Sequence, residues 1–216
     1  MAIGDELSIA TTYHQLGRIE QDHGDCWEAE KEFIKSLEID LKYGNEFGAS
    51  NTYHQLGRVA QKRLDYEAAK NWYMKELDIV QKFEDELGVA AACHQIGVVS
   101  QIQGDLDTAE GWYNKALNIE IHIKDKHGAA STYHQLGRIA EDKGDLLKSG
   151  GLYIQAAIGM RYTFDPQNYA AAVHSFTRML LKADEINRPM LINAWSAAGL
   201  PADILEKCLD IIKGDE

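Results

Sequence analysis

Proline is nearly missing from this 216-residue chain: there are three, and none precedes Pro166. A proline inside a helix removes a hydrogen bond and clashes with the turn before it, so most of the chain carries no such break. Cysteine is scarce too. Cys26, Cys93 and Cys208 lie far apart and form no C-x-x-C pair. Their odd number argues against a closed disulfide framework, and they read as reduced thiols. No apolar run approaches the roughly 20 residues needed to cross a bilayer. The opening stretch, MAIGDELSIATTYHQ, has acids where a secretion signal has a basic segment, and no long apolar core. These absences predict a cytoplasmic protein with no membrane partner.

Basic runs are lacking as well. The 22 lysines and arginines are outnumbered by 34 acids, for a net charge of -12. Nucleic-acid binding draws on clustered cations that neutralise phosphates, so DNA and RNA are excluded as primary partners. A basic or mixed-charge protein surface suits the net charge better. The apolar share, 45%, and the charged share, 26%, are those of a folded soluble chain.

Repetition is what the chain has in quantity. The heptapeptide TYHQLGR stands at 12–18, 52–58 and 132–138, with a worn copy, ACHQIGV, at 92–98. Tyr13, Tyr53, Cys93 and Tyr133 keep a 40-residue period, as do Gly17, Gly57, Gly97 and Gly137. Phe33, Tyr73, Tyr113 and Tyr153 follow the same step, with Ala29, Ala69, Ala109 and Ser149 four residues before them. His174 continues the histidine row, so AAVHSFTRML reads as a degenerate fifth copy.

Each period divides into two helical segments, here helix A and helix B. A turn such as His23-Gly24-Asp25 or Lys143-Gly144-Asp145 separates them. Glycine ends helix A, where a left-handed backbone is cheap for it, and aspartate caps helix B. A longer link, YGNEFGAS at 43–50 or FEDELGVA at 83–90, leads to the next unit. Tyr13, Leu16 and Gly17 fall on one face at i, i+3, i+4. One pair cannot bury such a stripe alone, so the units must stack.

The order aromatic-x-x-Leu-Gly, then Gly-Asp, Ala and x-x-x-Tyr resembles the tetratricopeptide repeat, whose signature is W-x2-L-G-x2-Y…A-x3-F…P at a period of about 34 residues. The resemblance covers roughly residues 10–160. It departs from the family pattern in its 40-residue period and its missing closing proline, which suggests lengthened helices. This long form resembles repeats found in bacterial multidomain regulators, beside nucleoside-triphosphatase or protease-like modules. No G-x-x-x-x-G-K-[ST] loop occurs here. The resemblance implies an all-α, right-handed α-solenoid of stacked antiparallel helix pairs, a superhelix with C-terminal capping helices. The expected organisation is four pairs over 1–164, a degenerate fifth helix A over 165–186, and capping helices over 187–216. Gly150 and Gly151 should weaken the fourth helix B by about 1 kcal/mol each. The chain starts almost directly in a helix A, so its N-terminal edge is a candidate for self-association.

A row of histidines invites a metal or catalytic reading. Two imidazoles sharing a zinc ion bring their nitrogens within about 3–4 Å, whereas neighbouring stacked helices lie about 8–10 Å apart. No H-E-x-x-H or G-x-S-x-G occurs, and no nucleophile has a visible base. No metal, cofactor or catalytic residue is expected, and the chain reads as a non-enzyme.

Two readings of the motif's polar residues remain open. In one, His and Gln are shared packing and hydrogen-bonding positions between neighbouring A helices. In the other, which the family resemblance implies, they face a concave ligand groove. His14, His54, His94 and His134 would line it with Arg18, Arg58 and Arg138, flanked by Gln15, Gln55, Gln95 and Gln135. Val98 replaces the arginine once, giving an apolar middle with Ile102. Arginine suits carboxylate recognition, so the expected ligand is a protein or peptide segment, acidic or C-terminal in character. The expected function is a non-catalytic protein-interaction scaffold. The alternatives are a self-associating structural module and a sensor segment of a larger signalling NTPase or protease system.

Overall fold

The computed structural model describes residues 3–203 and 205–207. Cys208, and with it the end of the capping helix read from PADILEKCLDIIK, lies outside them. Among the described residues the elements are α1 (Ile3–His23), α2 (Cys26–Lys42), α3 (Glu46–Lys62), α4 (Tyr66–Lys82), α5 (Glu86–Ile102), α6 (Leu106–His122), α7 (Lys126–Asp142), α8 (Leu146–Tyr162), α9 (Pro166–Lys182) and α10 (Asn187–Ala197). No strand occurs among these residues. The chain divides into two compact units, Met1–Trp112 and Tyr113–Glu216. In the first, α1 packs on α2, α2 on α3, α3 on α4 and α4 on α5. In the second, α7 packs on α8, α8 on α9, and α10 closes against α8.

One turn is used throughout. After each helix from α1 to α8, one residue takes a positive φ. Glycine does so four times, and Leu64 (φ 62), Glu84 (φ 54), Lys124 (φ 59) and Phe164 (φ 57) do so without glycine's steric freedom. The next residue is always Asp or Asn. Its N–H reaches back to a carbonyl five residues earlier, as in Asn45 N to Asp40 O at 2.8 Å and Asp85 N to Val80 O at 2.9 Å. Its side chain then accepts from the first turn of the following helix: Asp65 from Ala68 N, Asn45 from Gly48 N, Asp85 from Gly88 N. The caps recur every 20 residues, twice as often as the sequence period suggests. The long links read at 43–50 and 83–90 are therefore corrected. Asn45 and Asp85 cap helices that begin at Glu46 and Glu86, and only three residues connect.

Within a pair, the Leu-Gly step of helix A receives the aromatic ring of helix B. A Cβ at Gly57 would lie 2.5 Å from the Tyr73 ring, one at Gly17 2.8 Å from Phe33, and one at Gly137 2.7 Å from Tyr153. These rings are fully buried, and each stabilises the fold by about 1.5–3 kcal/mol through burial. Tyr73 and Tyr153 also donate their hydroxyls back to helix A, to Gln61 Oε1 (2.5 Å) and Glu141 Oε2 (2.8 Å). Gly150 turns out to have a packing role: a Cβ there would overlap the Leu191 side chain of α10, whereas Gly151 faces open space. The glycine pair does not interrupt α8, which runs unbroken from Leu146 to Tyr162.

The outer face of α1 stays uncovered. Leu16 and Ile19 are 40% and 47% exposed, whereas the matching Leu56 and Val59 of α3 are 1% and 0% exposed.

Candidate functional site

Helix packing holds the motif histidines in place. His14 Nδ1 lies 3.1 Å from Thr52 Oγ1, joining α1 to α3. Thr52 spends its own proton on the Gly48 carbonyl, so the imidazole is the donor. His54 Nδ1 donates to both carboxylate oxygens of Glu76, each at 3.0 Å. In the second unit His134 Nε2 meets Ser175 Oγ at 3.0 Å, joining α7 to α9. Each ring also packs against the aromatic of its own pair, with centroids 5.3 Å apart for His14 and Phe33, 5.7 Å for His54 and Tyr73, and 5.5 Å for His134 and Tyr153. Burial pushes the pKa of His14 down, with Arg18 adding to the effect. It pushes His94 to about 4, and His134 to about 4 with help from Arg138 and Arg178. These three imidazoles are therefore neutral near pH 7.

A cavity of about 570 Å³ opens in the first unit. Helix α1 contributes His14, Gln15 and Arg18 to its wall, and α3 contributes Asn51, His54 and Gln55. The B helices supply Ser36 and Asp40 from α2 and Glu76 from α4, while Leu87 and Ala91 of α5 form an apolar side. Five of the sequence-predicted residues thus meet: His14, Gln15, Arg18, His54 and Gln55. Arg58, His94, Gln95 and Val98 belong to the same unit but not to this wall, and the apolar contribution expected from Val98 and Ile102 comes from Leu87 and Ala91. His134, Gln135 and Arg138 belong to the second unit. Arg58 and Arg138 are exposed and lie over Gln55 and Gln135 of their own helices, at 3.5 and 3.3 Å.

The spacing of helix B puts Glu76 on the core stripe with Ala69, Tyr73 and Leu77, but sequence reasoning named neither Glu76 nor Asp40 as a site residue. Asp40 is 3% exposed and Glu76 is 5% exposed. Burial pushes the Asp40 carboxyl up, opposed by a 2.6 Å hydrogen bond from Asn45 Nδ2. A signal was available in the register. The sister positions of Glu76 are Ser36, Ala116 and Ala156, and those of Asp40 are Val80, Glu120 and Met160. An acid stands where most other copies hold a small or apolar side chain.

Glu120 is the counterpart in the second unit, 4% exposed. Thr132 Oγ1 donates to its Oε1 at 3.1 Å, and Oε2 has no hydrogen-bond partner among the described residues. That unit also has an apolar hollow of about 750 Å³ lined by Ile158, Tyr162, Phe164 and Leu200, among others. Among the described residues, no group of three or more His, Cys, Asp or Glu could hold a metal ion. No described helix is long and apolar enough to cross a membrane.

Helix pairs of this kind, capped at both ends and stacked through a small-residue step, define an all-α solenoid repeat protein. The tetratricopeptide-repeat family model matches residues 8–82, from within α1 to the end of α4. Solved structures share the fold. The nearly identical tetratricopeptide-like repeats of a kinesin light chain from Podosopora anserina match with a TM-score of 0.68 at 17% identity, covering 89% of this chain and 96% of that one. BtubC from P. vanneervenii matches at 0.66 and 16%, covering 99% and 90%. A signal-transduction ATPase with numerous domains, bearing a tetratricopeptide-repeat sensor, from Pyrococcus horikoshii, matches at 0.77 and 15%, covering 87% of this chain and 30% of its own length. No curated protein sequence matches. Residues 8–82 thus match the tetratricopeptide repeat in sequence, and the fold of the chain is that of tetratricopeptide-like solenoids.

Burial pushes the Glu120 carboxyl from 4.5 to about 7, against the Thr132 hydrogen bond and with nearby Asp125 adding to the rise. The folded state then holds this proton more tightly than the unfolded one. Its contribution is complete below pH 4.5 and is lost as pH rises toward 7, a loss on the order of 3 kcal/mol. His94 and His134 act oppositely over pH 4–6.5, so the comparison must be made by difference. Subtracting the urea-unfolding stability of wild type from that of Glu120→Gln should give a value that grows across pH 4.5–7. A flat difference contradicts the assignment.

Proposed function

We propose that this chain is a non-catalytic protein-interaction scaffold, seating an extended peptide or protein segment in the cavity of its first unit. The cavity carries the reading. Its volume, about 570 Å³, falls in the range of ligand sites, roughly 300–1,000 Å³, and suits a few side chains rather than a folded domain. Gln15 and Asn51 are exposed at its wall, and side-chain amides can both donate to and accept from a peptide backbone. The tetratricopeptide-repeat fold supports the same reading. The likeness to the sensor-bearing ATPase supports placing such a scaffold within, or beside, a larger signalling system.

A second reading, self-association, rests on the uncovered Leu16 and Ile19 of α1. A second copy would cover this face much as neighbouring elements cover Leu56 and Val59. Light scattering should then report twice the monomer mass, reverting to monomer in Leu16→Glu. A monomer at every concentration tested rules this reading out.

The scaffold reading is tested with a displayed library of nine-residue peptides panned on the full chain. Peptides enriched on wild type should lose affinity by about tenfold or more, roughly 1.4 kcal/mol, in Asn51→Trp, whose ring fills the cavity. Undiminished affinity in a folded Asn51→Trp protein removes the cavity as the seat.

A further inference from the structure

The arginines of the repeat motif predict an acidic ligand, but the cavity's own charges have the opposite sign. Its wall carries Asp40, Glu76 and Asp85 against one cation, Arg18. Asp40 and Glu76 are more than nine-tenths buried. Asp40 has only the neutral amide of Asn45 as hydrogen-bond partner, and Glu76 has the His54 imidazole, an ion pair only when that ring is protonated, so neither carboxylate is bonded to a lysine or arginine among the described residues. Elsewhere in the unit, buried or half-buried acids do have such partners: Glu32 has Lys35 at 2.5 Å, and Glu30 has Arg63. A buried carboxylate held only by neutral donors is costly, and a ligand cation would relieve that cost, most directly at Asp40.

The wider field has the same sign. Residues 1–112 contain 21 of the 34 acids but only 10 of the 22 lysines and arginines. Nearly all of the chain's net charge of -12 therefore sits in the unit that holds the cavity. The helix N-termini at the wall do not reverse this. The first-turn N–H groups of Gly48 and Gly88 are already taken by Asn45 and Asp85, which removes the donors an anion would need.

We infer that the first unit's cavity receives an arginine or lysine side chain of a basic protein segment, with Asp40 and Glu76 as the receiving carboxylates. This rests on the scaffold reading and gives it a partner chemistry. The incoming cation would lie between α2 and α4, with the stem of its side chain along Leu87 and Ala91. Gln15 and Asn51 would meet the segment's backbone. Arg18 acts as a competitor at the rim. A guanidinium fits best, since its planar fork can serve two carboxylates together.

The test uses the peptides enriched from the same library, measured by fluorescence anisotropy on the full chain. They should contain arginine or lysine. Replacing that residue by glutamine in the peptide should weaken binding about tenfold or more, a step in which the protein is unchanged. Glu76→Gln should weaken binding similarly, and Arg18→Gln, an exposed change, should tighten it several-fold. Acidic or uncharged peptides that are weakened by Asn51→Trp would leave the cavity as the seat and overturn its sign. So would weakening in Arg18→Gln. Basic peptides indifferent to both Asn51→Trp and Glu76→Gln would be binding the general negative surface, overturning the inference and the scaffold reading together. Enrichment of no peptide at all also overturns it.

Discussion

The contact between one glycine and one aromatic ring sets the geometry of every helix pair in which it occurs. At Gly17, Gly57 and Gly137 the ring of helix B lies where a Cβ would be. Two helices can approach this closely only if one presents no side chain at the crossing. The ring fills that gap, stays fully buried, and in two pairs returns a hydroxyl hydrogen bond to helix A. The histidine three residues before the glycine then packs on the edge of the same ring. Stability and the placement of the motif's polar residues therefore share one cause.

The candidate site follows from small departures within that frame. Three histidines of the row, His14, His54 and His134, bond to Thr52, Glu76 and Ser175 and pack against aromatics. The departures that reach the cavity lie on helix B. Position 76 is Glu where its sisters are Ser or Ala, and position 40 is Asp where a sister is Val. These exchanges bring two buried carboxylates into a wall to which the repeated motif contributes the cation Arg18. Chemical individuality arises where the repeat is broken, and packing arises where it is kept.

Most of the architecture was legible in the sequence, because a period of several co-varying positions reports a packing solution repeated. The shared turn was only half legible. Glycine marks the helix A ends at 24, 104 and 144, but Leu64, Glu84, Lys124 and Phe164 occupy the same left-handed position without glycine's signature. The Asp or Asn cap that follows was the steadier sign. The site was less legible still. Sequence spacing puts Arg18, Arg58 and Arg138 on one equivalent face, but equivalence does not bring side chains together, and of the three only Arg18 meets the cavity. The buried acids were hidden because carboxylates on a helix usually read as a solvated face. Helical spacing with Ala69, Tyr73 and Leu77 marks Glu76 as a core position, whereas Asp40 shows as one only when the copies are set side by side.

The most direct test of this account is the equilibrium unfolding of Gly57→Ala beside Gly151→Ala. Alanine is the better helix former by about 1 kcal/mol, so propensity alone predicts that both changes stabilise. The account predicts a split. Gly151 faces open space and gains, whereas Gly57 must push a methyl into the Tyr73 ring and loses about 1–3 kcal/mol. A Gly57→Ala protein as stable as wild type, or more so, would contradict the claim that this contact sets the fold.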